Sequence, residues 1–280
     1  MRTITTDEIS QLVAELCRRA NFHLPEDVVG ALERAREAER SERGRWVLDS
    51  LLENAAEAAR ESLPLCQDTG LVVCFVRLGR DARVEGDLGE AVDAGVRQAY
   101  TTWPLRKSVL ADPLDRASNT GDNTPAVLGL ELVEGDGLEV QVVPKGGGSE
   151  NAGAAWMLSP SEGEEGIVAR IERQVREQGG KWCPPGIVGV GVGGTLERAA
   201  DLAKRAVTRP IGGAHPEAKW AALEARLLRT INATGIGPMG LGGDTTALAV
   251  HVEYHACHLA SLPVAVSFQC HAARRAAGRL

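Results

Sequence analysis

Residue 71 marks a change of rhythm that decides the fold class. Before it, apolar residues recur at helical spacing. After it, short β-branched runs alternate with helical segments. Thr5 or Thr6 can cap a first helix, whose Ile9, Leu12, Val13, Leu16 and Cys17 fall on one face. Pro25, Glu26 and Asp27 open a second, because a proline and acids suit a first turn. A third runs from roughly Arg45 to Arg60, with Trp46, Val47, Leu51 and Leu52 apolar. "LVVCFVRLG", from Leu71, has the length and branching of a strand, and a helix follows near residues 88–100. "LRKSVLADPL" and "NTGDNTPA" read as loops, and "LEVQVVPKGGGSEN" as a strand entering a glycine loop. "GIVARIERQVREQG" is a helix, "GIVGVGVGGTLERAADLAKRAV" a strand, glycine turn and helix, and "TTALAVHVEYH" and "LPVAVSFQC" are late strands. The expected architecture is α/β: mixed β-sheets flanked by helices. A helical N-terminal segment, residues 1–62, packs on a single domain spanning 1–280, with no internal repeat.

Charge and composition exclude several functions. A chain of 280 residues that is 44% hydrophobic and 25% charged can bury a large core. Its net charge of −7, without a basic run, argues against nucleic acid and anionic membrane surfaces as partners. No apolar stretch reaches the roughly 18 residues of a membrane span, and "MRTITTDEISQLV" lacks an apolar signal core. The expectation is a cytoplasmic protein. Its six cysteines, at 17, 66, 74, 183, 257 and 270, then stay reduced, and no C-x-x-C pair suggests a zinc ribbon.

Several short stretches could carry chemistry. The turn "GVGVGG", Gly189 to Gly194, lacks the full G-x-G-x-x-G spacing and a downstream acidic ribose partner, so it reads as a tight strand-to-helix turn. In "PKGGGSEN", Gly146, Gly147 and Gly148 let a backbone approach a ligand. Their N–H groups can form an anion nest beside Lys145, Ser149 and Asn151, and a plain flexible loop is the alternative. Cys66 in "PLCQDTG", Cys183 in "WCPPG" and Cys270 in "SFQCHAARR" stand at element ends, where side chains can converge on a cleft. Three thiolates are too few to close a tetrahedral zinc site and suit a [4Fe–4S] cluster that leaves one iron free of protein, which spacing alone only suggests. Cys17, on an apolar stripe, Cys74, inside the β-branched run, and Cys257 read as packing thiols. His251, His255 and His258 invite a metal reading; alternation from Ala247 through Val252 puts His251 on the outward side of a strand, and exposed or hydrogen-bonded histidines are the plainer reading for His251 and His255.

Taken in order, "LPLCQDTG", "LRKSV…NTGDNTPA", "PKGGGSEN", "CPPGIVGVGVGGT", "IGPMGLGGDTTALAVHVE" and "HLASLPVAVSFQCHAARR" resemble the α subunit of the class I, iron–sulfur fumarate hydratases. The resemblance covers nearly the whole chain, and the same superfamily includes L-tartrate dehydratase α subunits. It implies a hydro-lyase with a [4Fe–4S] cluster held by Cys66, Cys183 and Cys270. It also implies the reversible hydration of fumarate to (S)-malate, a tricarboxylic acid cycle reaction. The lysine-led "KGGGSEN" loop, "GDNTPA" and "GLGGDTTALAVH" look like the fumarase form, with tartrate dehydration to oxaloacetate as the alternative.

The resemblance further implies site roles. A small dicarboxylate substrate would meet Gln67, Asp68, Arg106 and the loop Lys145, Gly146, Gly147, Gly148, Ser149, Glu150 and Asn151. His258 would pair with Asp68 near the cluster cysteines and move a proton on or off the leaving oxygen. Single-chain members carry a second domain after the last cysteine motif that supplies further cations and a proton acceptor. Here ten residues follow Cys270, so the expectation is one chain of a two-subunit enzyme, completed by a β subunit as an α2β2 assembly. A nucleotide-dependent enzyme and a non-catalytic cluster-bearing scaffold or sensor are the rival classes.

Overall fold

A computed structural model describes residues 2–280, which divide by their contacts into two compact units. The first comprises the chain up to Pro25, then Ala55–Gly147 and Arg274–Leu280; the second comprises Glu26–Asn54 and Gly148–Ala273. The mixed α/β architecture agrees with the sequence reading.

In the first unit, β1 (Arg2–Thr5) leads into α1 (Thr6–Phe22) through a capping box. The Thr5 hydroxyl accepts from the Glu8 N–H, and the Glu8 carboxylate accepts from the Thr5 N–H, which satisfies two otherwise orphaned donors. β1 pairs in parallel with β3 (Ala82–Glu85). The main sheet contains β2 (Leu71–Gly79), β4 (Val127–Val133), β5 (Leu138–Lys145) and β10 (Ala276–Arg279), in the order β10-β5-β2-β4. β4 runs parallel to β2, and β5 antiparallel to β2 and β10. Alternate residues Val72, Cys74 and Val76 of β2 and Val140 and Val142 of β5 face α1 and α4 (Leu88–Thr102) and bury the core with Ile9, Val13, Leu16, Val92 and Val96. Gly95 allows the two helices to close, since a Cβ there would stand 2.7 Å from that of Val13.

The second unit is built on β6 (Ala154–Leu158), β7 (Gly186–Gly193), β8 (Ala247–His255) and β9 (Leu262–Gln269), ordered β6-β9-β7-β8. β7 and β8 are parallel, and β9 is antiparallel to both β6 and β7. Val188, Val190 and Val192 face α6 (Gly163–Gln178) and α8 (Ala218–Asn232), burying Ile171, Leu227 and Ile231. On the opposite face, Gly189 and Gly191 lie under α7 (Leu196–Ala206). A Cβ at Gly191 would stand 2.7 Å from Ala203 N, and one at Gly189 2.7 Å from Val207 N. The glycine-rich strand is thus a packing surface for α7, and only its last residue, Gly193, and Gly194 just after it take positive φ to turn the chain into the helix. α2 (Glu26–Ala38) belongs to this unit, and α3 (Glu42–Glu61) starts in it. No helix among the described residues is long and apolar enough to cross a membrane.

Candidate active site

The "PLCQDTG" turn enters β2 in the first unit. Cys66 is half-buried with a free thiol that points to Gln67 Oε1 at 3.3 Å, and Gln67 is exposed. Asp68 is half-buried, and its carboxylate accepts from the Gly70 N–H at 3.0 Å and the Gly147 N–H at 2.7 Å. The turn's own carbonyls point inward. Arg274 Nη1 donates to the Asp68 carbonyl at 2.7 Å, the Tyr100 hydroxyl to that of Thr69 at 2.6 Å, and Asn123 Nδ2 to that of Gly70 at 3.0 Å. The Thr69 hydroxyl donates to the Arg106 carbonyl at 2.9 Å, which ties the "LRKSV" loop to the turn, while Arg106 itself is exposed. Gly70 has φ +78° and lies on the Lys145 backbone, where a Cβ would come within 2.8 Å of its nitrogen. Only glycine permits that approach. Lys145 is only 1% exposed.

The glycine loop is short and enters a helical turn. Gly147–Asn151 form one helical turn, α5, in which Ser149 is buried while Gly147, Gly148, Glu150 and Asn151 are exposed. Glu150 forms an ion pair with Lys204 of α7.

In the second unit, Cys183 and Cys270 come to one end of the β7–β9 pair. The His271 N–H donates to the Cys183 carbonyl at 3.1 Å, and a Cβ on Gly186 would stand 2.9 Å from the carbonyl carbon of Cys270. Both are half-buried and in no disulfide, and Cys270 Sγ donates to the Ala272 carbonyl at 3.7 Å. Cys183 has φ 56° and ψ 63°, a left-handed conformation costly for a side chain with a Cβ and held by its N–H bond to the Gly180 carbonyl. The loop 237–243 braces this corner: the Met239 N–H donates to the Pro184 carbonyl at 2.7 Å, and Gly240 packs on Gly180. That loop is in turn held by the buried Glu39 carboxylate, which accepts from the Asp244 and Thr245 N–H groups.

The histidines separate. His251 is buried, not outward-facing, with Nδ1 3.1 Å from the Ala206 carbonyl, because α7 covers that face of β8. His255 and His258 are exposed at the β8–β9 turn. They line an open groove of about 890 Å³ with Gly194, Thr195, Arg198 and Cys257. β7 and β8 are parallel and β9 antiparallel, so this turn lies at the sheet end opposite Cys183 and Cys270. Within its own unit, His258 is therefore not beside those cysteines.

The six cysteines differ in environment. Burial pushes the Cys17 thiol up, with the neighbouring Cys74 adding to the shift, and pushes that of Cys74 up to about 12, with Asp93 adding. Neither forms a thiolate ligand readily. Cys257 is not the packing thiol expected from the sequence: it is exposed, because it lies in the β8–β9 turn at the His258 end. Cys66 in the first unit and Cys183 and Cys270 in the second are each half-buried soft donors at loop ends, the donor chemistry that iron–sulfur ligation uses. Among the described residues no three His, Cys, Asp or Glu side chains gather around a single-ion site. Arg274, Tyr100, Asn123 and Lys204 are site neighbours that sequence reasoning missed. Asn123 lies inside the "NTGDNTPA" motif and Arg274 inside "HAARR", but no local pattern distinguishes a buried donor to a distant carbonyl.

Comparison with known proteins gives one consistent result. The family described as fumarate hydratase (Fumerase) matches residues 10–279. A Methanocaldococcus jannaschii protein, provisionally described as L(+)-tartrate dehydratase subunit alpha, is 44% identical over 98% of both chains. The L(+)-tartrate dehydratase subunit alpha of Escherichia coli strain K12 is 35% identical over 96% of this chain and 89% of its own length, and that of Shigella sonnei gives the same figures.

Proposed function

Because the chain belongs to the fumarate hydratase family, a family of hydro-lyases, we propose that it is the α-type chain of a two-subunit enzyme that adds or removes water across a four-carbon dicarboxylate. The observation that carries this reading is the Cys66–Gly70 turn, in which a free thiol, an exposed amide and a carboxylate aimed by two backbone N–H groups stand side by side. Cys66, Cys183 and Cys270 would hold a [4Fe–4S] cluster. When bound, that cluster supplies a Lewis acid to the departing hydroxyl. Asp68 holds or moves the proton of that hydroxyl. Gln67, Arg106 and the N–H groups of Gly146 and Gly148 bind the substrate carboxylates, the Gly147 N–H being engaged by Asp68, with Lys145, Ser149, Glu150 and Asn151 shaping the loop. The subunit-alpha names of the relatives support a β subunit as partner, and that subunit contributes the remaining cations and the base for the C–H bond.

His258 enters this scheme from elsewhere. At about 3.3 Å per residue, the eight-residue β7 separates its sheet end from that of Cys183 and Cys270 by roughly 23 Å. A proton-relay pair of Asp68 and His258 around one cluster therefore takes its histidine from a second copy of the chain, in an assembly such as α2β2. Leu259 beside it is 89% exposed, and Met157 and Leu196 of the adjoining groove are exposed as well, which suits a surface covered by another chain.

Fumarate is the substrate that the lysine-led loop favours, and L-tartrate the one that the relatives' names favour. The test is anaerobic reconstitution of the chain with its β subunit, assayed for fumarate hydration and L-tartrate dehydration side by side. Turnover of one substrate assigns the specificity. Full activity from the 280-residue chain alone refutes the two-subunit reading, and the absence of both activities in a cluster-loaded complex refutes the hydro-lyase reading.

A further inference from the structure

We propose that Tyr100, Asn123 and Arg274 form a positioning clamp that aims the Asp68 carboxylate; this rests on the reading of Asp68 as the acid–base group. Three consecutive carbonyls, those of Asp68, Thr69 and Gly70, each receive a hydrogen bond from a side chain of a different segment. Tyr100 comes from α4, Asn123 from the loop before β4 and Arg274 from the stretch before β10. All three are essentially inaccessible to solvent, at 0%, 0% and 1% exposure, whereas Gln67 in the same turn is exposed. An exposed turn ordinarily leaves its carbonyls to water. Here the outer edge carries Gln67 and the carbonyl row is turned onto buried donors.

The choice of donors argues for aim rather than bulk. A buried guanidinium is costly to desolvate, and an apolar side chain fills a core at less cost. Arg274 instead directs Nη1 to the Asp68 carbonyl and to Asn21 Oδ1 at 3.3 Å. Its Nη2 and Asp68 Oδ2 flank the same small space over Gly146, at 3.4 and 3.3 Å from where a Cβ would stand. The carboxylate accepts from the Gly70 and Gly147 N–H groups, so rotation of the turn disturbs both bonds at once. Displacement of a reacting group by about 1 Å can cost roughly 100-fold in rate.

Tyr100→Phe deletes one hydroxyl and no volume. In the reconstituted holoenzyme it is expected to lower kcat about 5- to 10-fold, the worth of one hydrogen bond, with KM and iron content unchanged. In the isolated chain, amide exchange across residues 65–71 becomes faster by a similar factor. In an Asp68→Asn background, Tyr100→Phe causes no further loss, because the clamp acts through that carboxylate. Arg274→Lys, which keeps the charge but loses the planar guanidinium and its fixed donor directions, follows the same pattern and serves if Tyr100→Phe folds poorly. Multiplicative losses in the double variant, or unchanged amide exchange, overturn the clamp while leaving Asp68 in place. Near-normal turnover of Asp68→Asn alone overturns the acid–base reading and the clamp with it.

Discussion

Replacing Gly191 by Ala adds one methyl group to the middle of β7, directly beneath α7. The added carbon would stand 2.7 Å from Ala203 N and 2.9 Å from the carbonyl carbon of Ala199, with the Ala199 oxygen closer still. All three neighbours are helix backbone, so no side-chain rotation relieves the overlap. Ordinary contact begins near 3.4 Å, so α7 must lift by the better part of an ångström or more along its middle turns. That opens the small cluster of Ala199, Ala203 and Ala265, which are 0%, 1% and 1% exposed. The cost belongs at the upper end of the overpacking range, about 3 kcal/mol, which for a unit of this size lowers Tm by roughly 6–12 °C. The control is Gly213→Ala: that glycine has open space around its Cβ position and no positive φ, so Ala there changes stability by less than about 1 kcal/mol. Both are read by calorimetry of the isolated chain. If Gly191→Ala melts within about 1 °C of the parent, the glycines of "GVGVGG" do not serve helix packing and the argument against a ligand-binding role for them fails.

Single Cys66→Ser, Cys183→Ser and Cys270→Ser variants are each expected to lose most of the iron and the visible absorbance of the anaerobically loaded chain, whereas Cys74→Ala keeps both. Asp68→Asn in the holoenzyme lowers turnover by roughly two to four decades. If His258 comes from a second copy, mixing Asp68→Asn chains with His258→Ala chains restores activity in the hybrid assemblies, because one intact site forms in trans; no recovery places the histidine in its own subunit's chemistry or outside it. Partial burial pushes Asp122 up, but hydrogen bonds from the Thr124 hydroxyl and N–H and from Arg97 outweigh it and hold the carboxyl at about 2. With the folded pKa below the unfolded value, its stabilisation is complete above about pH 4 and is lost as pH falls toward 2. Urea midpoints of the parent should therefore converge with those of Asp122→Asn over that interval.

What the sequence determined by itself is the part governed by short-range periodicity and capping. The Thr5 cap, the apolar stripe of α1 and the strand from Leu71 follow from spacing within a few residues. So do the helix at Leu88–Thr102 and the alternation of strand and helix through β7 and α7. The third helix begins three residues earlier than its apolar pattern, at Glu42, since helix ends are set by caps and packing as well as by stripe. β4 went unread: as an edge strand it leaves Leu128, Leu130 and Leu132 exposed, so its pattern lacks the contrast between faces that signals a half-buried strand.

Tertiary structure decided the rest, and it did so wherever a residue's partner lies far along the chain. Nothing local distinguishes Gly191, which accommodates the backbone of α7, from a nucleotide-loop glycine. Nothing local shows that Arg274 reaches the carbonyl of Asp68, 206 residues away. His251 is buried because α7 returns over its strand, and His258 lies at the far end of the sheet from Cys183 and Cys270 because β9 runs antiparallel to β7. Strand direction and the return path of the chain are global properties, fixed by the packing of whole layers, and a window of neighbouring residues carries no record of them.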